Sequence, residues 1–475
     1  MKNIFAILFA FLAISSCQTD EAYDSLNRDP KRPDQIPASF LFTSATKSLF
    51  DQMTSTSVNR NIFRLLGQYW TQTTYTDESN YDFTNRNIPQ NHWAEMYSDV
   101  LLDLKSAREF VIDDSLLSDI EKNSQKAQID ILMVYTWQQL VDSFGDIPYT
   151  EALNENNPDP VYDDAATIYT DLISILNTAI DNIGSGGFTN ADKIYGGNEA
   201  GWNKFANSLK LRIAMRLADV NPTVASTLAT EAVEAGVFSN NSDNAILNYE
   251  TSPPNTNPLW VDLVQSGRSD FIPTNTLVNI MNSLNDPRRF KYFEQNLGDG
   301  VFLGGIYGDN NTFSSYTHIG EVMHQPDYPA SLLDCAEVEF YLAQAAEMSI
   351  VGAPADAEIH YNNAIRASFD FWNVSEVDAY LANPDVAYAT ASGDWREKIG
   401  KQFWLAMYNR GFEGWTAWRT FDTPNFNLPA ITENPVPNRY TYPVNEQNLN
   451  FDNYKNASTA IGEDTQTTKL FWDVN

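Results

Sequence analysis

Five stretches with the apolar spacing of amphipathic helices follow one another between residues 93 and 235. In Trp93–Val111 the apolar side chains recur at intervals of three and four residues, which places them on one face of a helix. The other four stretches are Ser118–Ser143, Ala165–Ile183, Glu199–Leu217 and Pro222–Ala235. Each apolar face must be buried against another element, so the series predicts a mostly α-helical chain built from packed helix pairs.

The turns between these stretches carry helix-end signals. Ser118 and Glu121 have the spacing of a capping box, and Gly145 and Gly236 stand where helices commonly end. Helix pairs of this length in series resemble tetratricopeptide-type repeats, although the full repeat consensus is not visible. Repeat scaffolds often bind a partner with one face, and an ordinary α-helical domain is the plain alternative.

Further helices are predicted on both sides of this series, at Phe40–Met53, 63–70, 274–285, Leu333–Ser349, Asp356–Phe371 and Trp395–Arg410. Ser39 is placed to cap the first of them, and Gly411 to end the last. Residues 71–90 have no helical period and form a predicted loop that ends at Pro89. Residues 237–330 are rich in Gly, Pro, Asn, Ser and Asp, and the chain from Thr423 onward is rich in Pro and Asn. Long irregular segments in a compact protein are commonly functional.

The N-terminus has the pattern of an export signal. Lys2 is followed by the apolar run Ile4–Ile14, by two serines and by Cys17. A basic start, an apolar run too short to span a bilayer and small residues before the cut describe a secretory signal. The residues before Cys17 resemble the lipobox of bacterial lipoproteins, in which the cysteine is lipidated; ordinary signal cleavage is the alternative. The acidic residues after Cys17 resemble the export tag of Bacteroidetes surface lipoproteins. We therefore expect a signal peptide at 1–16, a lipidated linker at 17–38 and a single domain at 39–475.

Composition narrows the choice of partners. A net charge of −32 repels phosphate backbones, so no nucleic-acid partner is expected. Cys335, the one cysteine besides Cys17, lies in an apolar helical pattern and is expected to be a buried thiol. Trp202 and Trp404 lie in helical stripes and are expected in the core. Other Tyr and Trp residues occur in polar, turn-rich stretches, where their ring faces suit stacking on the C–H faces of sugars.

Five sequence phrases occur in order along the chain. They are LVDSFGDIPYTEA at 140–152, WNKFANSLKLRIAMRL at 202–217, EVEFYLAQAAE at 337–347, KIGKQFWLAMYNRGFEGWTAWR at 398–419 and YTYPVNEQNLNF at 440–451. Together with the lipobox, the ordered set resembles the SusD/RagB family of nutrient-binding lipoproteins of Bacteroidetes. The resemblance implies a SusD-like, mostly α fold in which stacked tetratricopeptide-like helix pairs support a large irregular ligand-binding half, with its insert at about 237–330.

The resemblance also implies a function. Such a protein is lipid-anchored in the outer membrane, faces the cell exterior and captures a glycan, either a polysaccharide or an oligosaccharide. It delivers the glycan to a SusC-like TonB-dependent transporter, over which it sits as a lid. Some members of the family bind peptides or other nutrients, so peptide capture by the same arrangement is the first alternative.

No catalytic signature accompanies these features. The four histidines form no His-Glu-x-x-His pattern, and no Gly-x-Ser-x-Gly is present. His318 and His324 could bind a metal ion, but loop histidines at a surface are the commoner case, and we expect neither metal nor cofactor. The chain is therefore predicted not to be an enzyme. A surface glycoside hydrolase is the less favoured alternative, and a structural lipoprotein without a ligand is a third.

Two stretches combine aromatic rings, hydrogen-bonding side chains and the absence of a helical period, which together suit sugar recognition. In the first, 69–83, the predicted ligand contacts are Tyr75, Asp77 and Tyr81. In the second, 253–324, they are Trp260, Arg268, Asp270, Tyr307, Asp309, Asn311 and Tyr316. Because binding sites commonly lie on loops held by a rigid scaffold, we expect the two stretches to form the glycan site.

Overall fold

The structure is a computed structural model that describes residues 36–474. The predicted signal peptide, Cys17 and all but the last three residues of the predicted linker lie outside the described residues. Helices dominate the described part of the chain, and its strands form two-stranded ribbons. No helix among residues 36–474 is both long and apolar enough to cross a membrane.

The first half of the chain contains the helical series that the sequence predicts. Its helices are α1 (Ala38–Thr54), α2 (Phe63–Leu66), α3 (Ile88–Ala94), α4 (Leu102–Asp113), α5 (Asp119–Phe144), α6 (Ala165–Asn182), α7 (Glu199–Arg216) and α8 (Pro222–Ala235). A π-helical turn, Glu95–Leu101, joins α3 to α4 without a break. Three short strands belong to this half: β1 (Trp70–Gln72), β2 (Ile147–Pro148) and β3 (Tyr162–Asp163).

The second half begins with the irregular insert and returns to helices. Its helices are α9 (Pro258–Trp260), α10 (Asn275–Ser283), α11 (Arg289–Tyr292), α12 (Cys335–Glu347), α13 (Ala357–Phe371), α14 (Val377–Leu381), α15 (Trp395–Ala406), α16 (Gly411–Phe421), α17 (Val444–Leu449) and α18 (Phe451–Ala460). Its strands are β4 (Ala245–Leu247), β5 (Phe271–Pro273) and β6 (Ala330–Leu333). A second π-helical turn, Val261–Gln265, follows α9 directly.

The helices pack in pairs, which confirms the predicted scaffold. The closest pairs are α1 with α4, α5 with α6, α7 with α8, α12 with α13 and α15 with α16. The predicted capping box is present: the Glu121 backbone N–H donates to the Ser118 hydroxyl, and the Glu121 carboxylate accepts from the Ser118 backbone N–H. Gly145 ends α5 at a φ of 88°, a left-handed value that favours glycine.

Several local predictions were wrong. Ser39 does not cap α1, which begins one residue earlier after Pro37. Pro89 lies in the first turn of α3, where its missing N–H costs nothing, and does not end a loop. Gly411 starts α16, and any side chain there would collide with the backbone of Arg64. The helices α17 and α18 were not expected, because short polar helices carry little apolar periodicity.

The large aromatic side chains of the helical stripes form the core. Trp202, Trp404 and Trp415 are fully buried, as predicted for the first two. Cys335 is also buried, and burial raises the pKa of its thiol. A thiol held in its protonated form is not a nucleophile, so Cys335 is a packing residue.

A buried ion network ties the helix pairs together. It consists of Asp142 on α5, Arg212 and Arg216 on α7, Glu337 on α12, Arg410 just before α16 and Glu413 within α16. Arg212 Nε donates to Glu337 Oε1 over 2.7 Å, and Arg212 Nη1 lies 3.2 Å from Glu413 Oε1. Arg216 reaches Glu413 Oε2 over 3.1 Å and Asp142 Oδ2 over 3.4 Å.

The network accounts for at least one charged residue in each of four of the five sequence phrases. Asp142, Arg212, Glu337 and Glu413 each come from a different phrase, and all are buried. A buried charge needs a partner of opposite sign, so each phrase must keep its charged residue for the others to remain stable. Burial alone raises the pKa of a carboxyl group, yet the attraction of Arg212 and Arg410 lowers the pKa of Glu337 to about 2. The charged residues of these four phrases therefore stabilise the scaffold and are not available to a ligand.

Candidate ligand-binding site

A short ribbon brings the two predicted loop stretches together. Strands β1 and β5 run antiparallel, with Trp70 opposite Pro273 and Gln72 opposite Phe271. The contact continues past the strands, since the Thr73 backbone N–H donates to the carbonyl of Asp270 over 2.9 Å. The loop at 73–80 and the insert at 266–271 are thereby fixed side by side.

These two segments line a cavity of about 280 Å³. Three of the predicted contacts meet there: Tyr75, Arg268 and Asp270. The Tyr75 side chain is 67% exposed, and its backbone is held at a φ of 54°. A non-glycine residue in this left-handed conformation is uncommon and is often found at functional sites. The ring of Tyr75 is thus a free stacking surface at the mouth of the cavity.

Arg268 and Asp270 form one charged edge of the cavity. The guanidinium of Arg268 makes two parallel hydrogen bonds with the Asp270 carboxylate, from Nε to Oδ2 and from Nη2 to Oδ1 over 3.0 Å. Both side chains are accessible to solvent. A neutralised pair of this kind can still donate and accept at its free edges, which suits a ligand rich in hydroxyl groups.

Arg86 forms a second charged edge, anchored from below. Its Nε lies 2.5 Å from Oε1 of Glu78, a carboxylate with no exposed surface. Gln72 on β1 donates to the other Glu78 oxygen over 2.6 Å. Burial raises the pKa of Glu78, and the bond from Gln72 and the charge of Arg86 oppose that rise. The Arg86 side chain remains one-third exposed, so part of its guanidinium faces the cavity.

Asp262 supplies a further carboxylate from the π-helical turn Val261–Gln265. It accepts hydrogen bonds from the backbone N–H groups of Thr56 and Ser57 and from the Ser55 hydroxyl at 3.4 Å. Burial raises its pKa above the usual range for an aspartate. The turn between α1 and α2 is therefore fastened to the insert at the rim of the cavity.

Two predicted contacts lie on the other side of the same loop. Asp77 and Tyr81 line a second, larger cleft of about 670 Å³, whose opposite wall is formed by residues 431–435 and 465–467. Only 2% of the Tyr81 side chain is exposed, and its hydroxyl accepts from Gln68 Nε2 over 3.0 Å. Asp77 is exposed.

Two other predicted contacts are buried and hold the insert in place. The Tyr307 ring is 1% exposed and its hydroxyl donates to the carbonyl of Leu65 over 2.8 Å. Asn311 is 4% exposed and donates to the carbonyl of Gln72 over 3.1 Å. Neither side chain offers a surface to a ligand; Tyr307 holds the insert against α2, and Asn311 holds it against β1.

The last three predicted contacts lie apart from the 280 Å³ cavity. Trp260 is half-buried at the end of α9, Asp309 accepts from the Asn310 backbone N–H over 2.7 Å, and Tyr316 is half-buried on a loop beside Asn296. On that loop His318 and His324 both direct Nδ1 toward Glu294, at 3.0 and 3.6 Å. Among residues 36–474, no group of three potential ligands is arranged to hold a metal ion.

Sequence reasoning missed several contributors to the cavity, among them Arg86, Asp262 and residues 56–59. Arg86 lies three residues beyond the first predicted stretch, and Asp262 lies two residues beyond Trp260. A basic residue within the predicted loop at 71–90, close to its aromatic residues, was an available signal. Residues 56–59 line the cavity because the turn between α1 and α2 packs against the insert. No local sequence pattern predicts that contact.

Comparison with known proteins shows the family of the chain. Residues 30–443 match the family model for SusD-like proteins, which is described as "Starch-binding associating with outer membrane". No protein with a curated description matches the chain.

Solved structures with the same fold include three from this group. One is a chitin-binding SusD homologue from Flavobacterium johnsoniae, 24% identical, with a TM-score of 0.77 over 91% of this chain and 99% of that one. A SusD homologue from Bacteroides uniformis is 24% identical, with a TM-score of 0.77 over 92% and 100%. A SusD-like protein of Bacteroidetes is 23% identical, with a TM-score of 0.80 over 93% and 100%. The match to the family model spans most of the sequence, and the helix pairs and loop-rich half agree with it: the chain belongs to the SusD-like family.

Proposed function

We propose that the protein captures a glycan at the cell surface and that the cavity beside Tyr75 is the binding site. The observation that carries this proposal is an exposed ring standing beside paired guanidinium and carboxylate groups, all on loops fixed by the β1–β5 ribbon. A sugar presents an apolar C–H face and a rim of hydroxyls, and the cavity has a complement for each. The family description and the chitin-binding neighbour point to the same class of ligand.

The test is calorimetry with maltoheptaose and chitohexaose on the purified chain and on Tyr75→Ala. Losing a central stacking ring costs about 1 kcal/mol or more of binding free energy, which is roughly fivefold or more in Kd. Phe40→Ala is the matched control, because Phe40 is also 67% exposed but lies on α1, outside the cavity. Equal affinities for the parent and for Tyr75→Ala would move the site elsewhere.

The same samples separate the alternatives. We propose that the protein binds without hydrolysis, so no reducing ends should appear after prolonged incubation with either sugar. Binding of an unstructured peptide in place of both sugars would favour peptide capture. Release of reducing ends would favour a glycoside hydrolase.

We further propose that the protein is anchored through a lipid on Cys17, faces the cell exterior and hands the glycan to a SusC-like transporter. The sequence before Cys17 and the family description of outer-membrane association support this arrangement. Purification from the native membrane in mild detergent after cross-linking should recover a large β-barrel partner. Recovery of the protein alone would count against delivery while leaving glycan binding intact.

A further inference from the structure

A groove separate from the two openings described above runs along one face of the continuous helical segment formed by α3, the π-helical turn and α4. The side chains at its wall are spaced by one helical turn, at Gln90, Ala94, Ser98, Leu102 and Ser106. At 1.5 Å per residue this wall is about 24 Å long. The opposite wall is the loop between β2 and β3, and the enclosed volume is about 970 Å³. The groove shares no lining residue with the cavity at Tyr75.

Two aromatic rings line this groove and are held in place from behind. Trp93 and Tyr97 stack with their ring centroids 4.8 Å apart, and Trp137 meets Tyr97 edge-on at 5.4 Å. Tyr149 in turn meets Trp137 edge-on at 5.0 Å. The hydroxyl of Tyr97 donates to the carbonyl of Pro148 over 2.6 Å. The half-buried Tyr97 ring is therefore preorganised at the groove and needs little ordering when a ligand arrives.

The polar groups of the groove favour a neutral ligand. Glu109, Glu155 and Glu446 outnumber Lys105, which is itself bound to Glu109 over 2.7 Å. This acidic excess repels anions such as uronic acids and phosphates. Within the described part of the chain the Ser98 hydroxyl has no hydrogen-bond partner, so it is available to a ligand.

A π-helical turn borders this groove, as another one borders the cavity at Tyr75. The π-helical turn Glu95–Leu101 places Tyr97 and Ser98 in the groove wall. The other π-helical turn in residues 36–474, Val261–Gln265, contributes Asp262 to the cavity at Tyr75. Such turns are rare and occur frequently at functional sites. In the described residues, both of them border a cavity.

We propose that this groove is a second carbohydrate site, which binds an extended neutral oligosaccharide along the α3–π–α4 face. The ring of Tyr97 contacts one sugar face, and the hydroxyl, amide and carboxylate groups along the groove bind sugar hydroxyls. The length of the wall suits several linked sugar units and not a single one. The inference shares with the proposed function only the class of ligand.

The test is calorimetry of the full chain with maltoheptaose and chitohexaose, read as the number of equivalents bound. Ser98→Arg places a long side chain across the groove from an exposed helix position, so the fold should be retained. Asp99→Arg is the matched control, because it puts the same side chain one residue along, outside the groove. The parent and Asp99→Arg should bind two equivalents of at least one sugar, and Ser98→Arg one. Tyr75→Ala should keep the groove equivalent.

Two results would overturn the inference, and they differ in what they say about the first site. In the first result, the parent binds one equivalent of sugar, Tyr75→Ala weakens this binding and Ser98→Arg leaves it unchanged. This result rejects the groove as a binding site and supports the proposed function. In the second result, the parent binds neither sugar, which rejects both the groove site and the proposed function. Equal melting temperatures of Ser98→Arg and Asp99→Arg show that a lost equivalent reports the groove and not the fold.

Discussion

Replacing one buried carboxylate should show how strongly the ion network stabilises the fold. Glu337 is fully buried and accepts from Arg212 Nε over 2.7 Å and from Arg212 Nη2 over 2.9 Å. Arg410 contacts the same carboxylate. Glu337→Gln keeps the size of the side chain and removes its charge, which leaves both guanidinium groups without their main partner. Removing one member of a buried ion pair typically costs about 3–5 kcal/mol.

The lowered pKa of Glu337 points in the same direction. It is lowered from 4.5 to about 2 in the folded state. At about 1.36 kcal/mol per pKa unit, this lowering corresponds to a few kcal/mol of stabilisation by the charged form at neutral pH. A carboxyl whose folded pKa is depressed contributes fully above its unfolded pKa and loses that contribution as the pH falls toward 2. The parent should therefore exceed Glu337→Gln in unfolding free energy by about 3 kcal/mol at pH 7 and by roughly half as much at pH 3.

Urea denaturation followed by circular dichroism at both pH values measures this difference. Glu358→Gln is the control, because Glu358 is exposed on α13 and its replacement should change the free energy of unfolding by less than about 0.5 kcal/mol. A difference below about 1 kcal/mol at pH 7, or one that does not shrink at pH 3, would refute the role assigned to the network.

Three further outcomes are expected. Burial lowers the pKa of His92 to about 3, so the unfolded chain binds an extra proton below pH 6.5; thermal stability should fall between pH 6.5 and 4, and less steeply in His92→Gln. Gly320→Ala should destabilise the fold by about 1–3 kcal/mol in denaturant titrations, because the new methyl group would collide with the backbone carbonyl of Lys291. Cys17→Ala should shift the protein out of the membrane fraction; a variant that still sediments fully with membranes would contradict lipidation.

The scaffold could be predicted from the sequence because its signals are local. The spacing of apolar residues and the glycine and capping signals placed α5, α6, α7 and α8 within one residue at each end. The π-helical turn Glu95–Leu101 escaped detection because it keeps the outward appearance of an amphipathic helix.

The candidate site could be predicted only in part, because it depends on pairing between distant segments. Composition identified the two loop stretches, yet it could not separate Tyr75, which is exposed, from Tyr307, which is buried. That distinction is made when the insert folds across β1 and one ring is covered by the other segment. Arg86 enters the cavity because a buried carboxylate at Glu78 holds it there, a contact that no local pattern encodes.

The β1–β5 ribbon has a consequence for how binding activity is acquired during folding. It joins residues about 200 positions apart through three residues on each side. Closing so long a loop has a large entropic cost, and the few backbone hydrogen bonds of the ribbon cannot offset it alone. We therefore expect the ribbon to form only after the neighbouring helices have docked. The helix pairs, whose partners are close in sequence, can form earlier. If the cavity beside Tyr75 is the binding site, as proposed, binding should appear in the last phase of refolding, after most of the helical signal has recovered. A ligand that contacts both strands should then slow unfolding.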